Sequence, residues 1–105
     1  MIVHPSAIVL TCYVVAWADD RPDRRDWLAH CLVRHHSRDW GDLDPDDAQT
    51  NDDTLARRGA GRLFSRYLVP ETLMDGSDLD DAVWIITDDV TDPDSATTIL
   101  WPSDY

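Results

Sequence analysis

The chain has 105 residues, 21 acids against nine bases and a net charge of −12, with 43% hydrophobic residues. This length predicts one domain, 1–105, that buries roughly two thirds of its unfolded surface. The apolar fraction argues against wholesale disorder, and the net charge repels nucleic acid and attracts basic proteins.

Residues 7–17, Ala-Ile-Val-Leu-Thr-Cys-Tyr-Val-Val-Ala-Trp, are β-branched, aromatic and unbroken, which predicts a central strand. Asp19–Asp23 with Pro22 predicts a turn, and Asp23 an N-cap. Leu28, Cys31, Leu32 and His35 then recur at helical spacing, so a helix is expected over 24–37, with Leu28 and Leu32 in the core. Ser37–Leu43 reads as a loop. In it Gly41 takes a positive φ, and Trp40 either plugs the gap between two helices or anchors an interface rim.

Asp44-Pro45 opens a second helix, with Asp46 and Asp47 at the positive end of its dipole. Arg57 and Arg58 sit at the other end, and Gly59 and Gly61 stop it. Its apolar face is thin (Ala48, Leu55, Ala56), which predicts a surface helix. Strands follow at Arg62–Val69, Ala82–Asp88 and Ala96–Trp101, with turn pairs at Asp75-Gly76 and Asp92-Pro93. Short connections favour antiparallel pairing. The expected fold is α+β in the order β-α-α-β-β-β: an antiparallel sheet of about four strands with two helices on one face. Ile8–Trp17 and Ala82–Asp88 should lie in its interior. Trp84 and Ile86 should share one face, and Ile85 and Thr87 the other.

Cys12 and Cys31 read as buried free thiols, with a disulfide as the alternative that spacing does not decide. No run approaches the roughly 18 apolar residues of a membrane span, and no basic segment precedes the apolar start, so a cytoplasmic protein is expected. His35 and His36 point about 100° apart on a helix and cannot easily share one ion, so the histidines are expected to cap or to face solvent. Ser65 and Cys31 lack a nucleophile signature, and Gly59-Ala-Gly61 is no phosphate cradle. Neither enzyme activity nor a metal or cofactor is expected.

Charge is segregated along the chain. Residues 1–38 balance to +1, residues 39–66 to −3, and residues 67–105 to −10, with ten acids and no base. Solubility asks for a net charge magnitude of only about 2–8. Carboxylates spaced over one face can occupy a channel built for nucleic acid. The predicted partner is therefore a basic nucleic-acid-binding protein or complex. The predicted contact set is Asp39, Trp40, Asp42, Asp75, Asp78, Asp80, Asp81, Asp88, Asp89, Asp92 and Asp94.

Motifs from His35 onward carry a resemblance: His-His-Ser-Arg-Asp-Trp-Gly-Asp-Leu43, Asn51-Asp52, Gly61-Arg-Leu-Phe-Ser-Arg-Tyr67, Trp84-Ile-Ile-Thr-Asp88 and Thr97-Thr-Ile-Leu-Trp-Pro-Ser-Asp-Tyr105. In this order they resemble a family of small accessory proteins carried on plasmids, phages and integrative elements. Some members are labelled as restriction-enzyme subunits, although no methylase or nuclease motif is present. The segment Asp88–Ser95 departs from that family, being longer than its usual acidic-basic turn and lacking its Arg. The resemblance implies a mobile-element habitat. With the charge, it leads to an expected inhibitor of a host defence complex, of anti-CRISPR or anti-restriction type, acting as an acidic nucleic-acid mimic. The alternatives are a plasmid maintenance or regulatory interaction protein, and a small hydrolase.

Overall fold

The computed structural model describes residues 8–57, 61–75, 80–89 and 95–105. They form strand β1 (Ile8–Leu10), helices α1 (Cys12–Ala18), α2 (Pro22–His36) and α3 (Pro45–Arg57), and strands β2 (Leu63–Leu68), β3 (Ala82–Thr87) and β4 (Thr97–Leu100). The chain is an α+β domain with its strands in the order β1-β4-β3-β2. Antiparallel pairing joins β2 to β3 and β3 to β4, as their short connections lead one to expect. β1 instead runs parallel to β4, with Ile8 opposite Thr97. β4 and β3 therefore fill the sheet interior, and β1 is an edge.

The strand expected over 7–17 ends at Leu10, and a third helix takes its place. Residues 12–18 are apolar at every position, so periodicity does not choose between strand and helix. Packing does. Val14, Trp17 and Ala18 stand at i, i+3 and i+4 and are buried together. Trp17 sets its ring edge-on to Trp101 at 5.2 Å and to Trp27 at 6.1 Å. An extended chain would send Val14 and Trp17 to opposite faces. Cys12 thereby becomes an exposed residue in the first turn of α1 rather than a buried one, while Cys31 is buried and free.

α2 begins at Pro22, with Arg21 rather than Asp23 as its N-cap. Asp23 lies in the first turn and accepts two hydrogen bonds from the Arg21 guanidinium, at 3.1 and 2.9 Å. Leu28 is buried as expected, but Leu32 is only half-buried. α1 and α2 cover one face of the sheet, where Tyr67, Val83, Ile85 and Ile99 complete the core. The alternation along β3 is the expected one. Ile85 pairs with the buried Ser65 and Ile99, and Trp84 and Ile86 turn the other way with Phe64.

α3 does not join the other two helices; it lies along β2. Its inward side chains are polar, with Asn51 2% and Thr54 8% exposed. Ala48 and Leu55 are half-buried, which fits the surface helix expected. Gly61 comes so close to Thr54 that a Cβ there would overlap its methyl group. The helix stop read at Arg58 and Gly59, and the turn pairs at Gly76 and Asp92-Pro93, lie outside the described residues. No helix among the described residues is long and apolar enough to cross a membrane.

Candidate functional site

The acids predicted as one contact set occupy separate places. Asp80 and Asp81 precede β3, and Asp88 and Asp89 follow it. Eight residues of extended chain put the two groups roughly 26 Å apart. Asp81 and Asp88 are exposed, as is Asp75. Asp80 accepts from the Ser103 hydroxyl at 2.6 Å. Two arginines reach this surface: Arg24 lies 3.7 Å from Asp75, and Arg66 lies 4.0 Å from Asp81. Asp78, Asp92 and Asp94 lie outside the described residues.

Asp39, Trp40 and Asp42 serve the fold. The Asp39 carboxylate accepts from the Arg34 guanidinium at 2.8 and 3.2 Å and from the Gly41 N–H at 3.1 Å. The Arg34 hydrogen bonds, followed by that of Gly41, hold its pKa below the usual carboxylate value. Trp40 is 7% exposed. Its ring meets His35 of α2 edge-on at 5.8 Å, and its indole N–H donates to Asp52 of α3 at 3.2 Å. It is the plug between helices, and so little exposed area gives a partner nothing to hold. Gly41 has φ +70°, as expected, and a Cβ there would overlap the Arg66 carbonyl and the Tyr67 ring.

This loop and Asn51 together close the free edge of β2. The Asn51 amide donates to Phe64 O at 2.6 Å and accepts from Phe64 N–H at 3.1 Å. Arg66 N–H donates to Trp40 O at 3.2 Å, and Asp42 N–H donates to Arg66 O at 2.6 Å. Leu68 N–H donates to Asp42 Oδ2 at 2.9 Å. Main-chain groups that would otherwise template another strand are thus occupied.

His35 neither caps nor faces solvent: it is 1% exposed. Its Nδ1 bonds Ser65 Oγ at 2.5 Å and its Nε2 bonds Thr87 Oγ1 at 2.9 Å, and Thr87 continues to Thr97 at 3.0 Å. Burial, with a smaller effect from His36, lowers its pKa from 6.5 to about 4, so the ring is neutral at pH 7. The pairing resembles a nucleophile with its base, but Ser65 is 0% exposed and closed to substrate. Burial also pushes the Cys31 thiol up to about 12, far from a reactive thiolate. Among the described residues, no three His, Cys, Asp or Glu side chains gather as a metal site.

Sequence reading missed a groove on the second face of the sheet. Two adjoining cavities, of about 340 and 330 Å³, share Arg62, Ile86 and Tyr105 as lining. On the groove floor Trp84 packs edge-on to Phe64 at 5.0 Å and to Tyr105 at 5.8 Å. Arg62 lies 5.2 Å from the Tyr105 ring centroid and donates to its hydroxyl at 2.8 Å. Asp47 lines one end, and Asp88 and Asp104 the other. The Trp84 indole N–H is buried without an acceptor among the described residues. Arg62 thus takes the cation–π place on Tyr105, and carboxylates stand at either end of the groove. The signal for it was present in the period of two, which puts Phe64, Trp84 and Ile86 on a face that α1 and α2 do not cover.

Compared with protein-family models, curated proteins and solved structures, the chain matches none.

Proposed function

We propose that this protein is a non-enzymatic interaction protein of a mobile genetic element. It docks on the basic surface of a nucleic-acid-binding defence complex in the host cytoplasm and keeps nucleic acid from that surface. The anti-CRISPR or anti-restriction inhibitor is its concrete form. One observation carries the reading: residues 67–105 hold ten acids and no base, within a chain of net charge −12. The acid groups at the two ends of β3 supply long-range attraction. Between them, the groove over Trp84 and Tyr105 offers an apolar seat for a side chain of the partner.

The test is functional. Hosts carrying defined CRISPR or restriction systems are infected with a targeted phage, with and without expression of the protein. Plaquing is expected to rise in at least one host, and to fall back when Asp80, Asp81, Asp88 and Asp89 are replaced with Asn. No rise in any host, or a rise indifferent to those substitutions, contradicts the proposal.

A further inference from the structure

The two edges of the sheet are treated differently. β2 is sealed by Asn51 and the Trp40–Asp42 loop, whereas no strand lies beyond β1 among the described residues. Thr11 N–H donates to Ile99 O at 3.1 Å, so alternation turns the main chain of Val9 towards β4 and that of Ile8 outward. Large apolar side chains are exposed on β1 and α1: Ile8 is 38% exposed, Val9 43%, Val15 50% and Tyr13 69%. Beside them runs a groove of about 410 Å³ between β1, α1 and α2, with Leu28, Leu32 and Ile99 in its lining. Ile8, Leu10 and Val15 join them in that lining, an apolar patch of the kind that marks an interface.

Charge decides the occupant. Residues 1–38 balance to +1, against −12 for the whole chain. Asp19 and Arg25 both line the groove. Among the described residues neither has an ion-pair partner, and they do not pair with each other. In a two-fold contact residue i meets j and j meets i, so one unpaired acid and one unpaired base on the rim become two ion pairs.

We propose that a second copy of this chain docks across the β1 edge and the groove beside it, with Val15 at the contact and Arg25 of each copy facing Asp19 of the other. Sedimentation equilibrium across micromolar concentrations is expected to give twice the 12.0 kDa chain mass. Val15→Asp is expected to weaken the dimer by about tenfold or more. Val33→Asp is the control, since Val33 is 61% exposed on α2 and lies outside the groove, and it should leave the dimer intact. Arg25→Asp should weaken the dimer, and Asp19→Arg added to it should restore it. A monomer at every concentration overturns the proposal. So does a dimer that tolerates Val15→Asp, or a charge swap that fails to restore association.

Discussion

His35 shows how a single side chain ties stability to pH. Its folded pKa is lowered to about 4 against 6.5 unfolded, because the core disfavours the charged ring. The unfolded chain therefore binds the proton first. Stability is full above pH 6.5 and declines as pH falls towards 4, by roughly 3 kcal/mol in all. Asp39, whose pKa is lowered from 3.8, acts in a separate window below that value. Urea denaturation between pH 4 and 8 should show the His35 decline, and a flat profile would contradict it. Gly41→Ala is expected to cost at least about 1–3 kcal/mol, because it adds both a left-handed alanine and an overlap with Arg66 and Tyr67. Equal denaturation midpoints for Gly41→Ala and wild type would refute that.

At the scale of elements, α2 and α3 and strands β2, β3 and β4 were legible within a few residues. Pro22, Pro45, Pro70 and Pro102 bound them, and β-branched runs with polar turns fill the rest. β1 was legible as a strand but not its end at Leu10, and α1 was not legible, because residues 12–18 are apolar at every position and only the packing of Val14, Trp17 and Ala18 selects a helix. The place of α3 was hidden for a different reason. Its buried face is Asn51 and Thr54, and a polar residue does not advertise that its amide will pair with a strand. Removing that amide is expected to loosen β2: Asn51→Leu should cost roughly 1–3 kcal/mol and speed hydrogen exchange at the Phe64 amide. Unchanged exchange at Phe64 would sink the edge-closing role. Leu28→Ala, in the core, should cost roughly 2–5 kcal/mol and more than Leu55→Ala on half-buried α3; equal losses would show that α3 is held by more than its polar face. The site was legible only as charge. The loop acids Asp39 and Asp42 stay exposed while they also bond Arg34 and the β2 edge, and Arg62, Trp84 and Tyr105 converge only once the sheet forms.

At the scale of the whole molecule, charge is segregated. The segregation runs along the chain rather than through the fold, since Thr11 between β1 and α1 donates to Asp104 at 2.7 Å; the acid groups at the ends of β3 lie farther apart than the Debye length of about 8 Å at physiological salt. They should therefore act independently on a partner. Replacing Asp80 and Asp81 with Asn, and separately Asp88 and Asp89, is expected to slow association by factors that multiply, with dissociation and stability little changed. The most direct measurement is the affinity for a purified defence complex across a salt series, with the complex's own nucleic acid as competitor. Affinity should fall steeply with salt, and protein and nucleic acid should exclude each other. An affinity flat in salt, or a ternary complex that holds both, would contradict the nucleic-acid mimic.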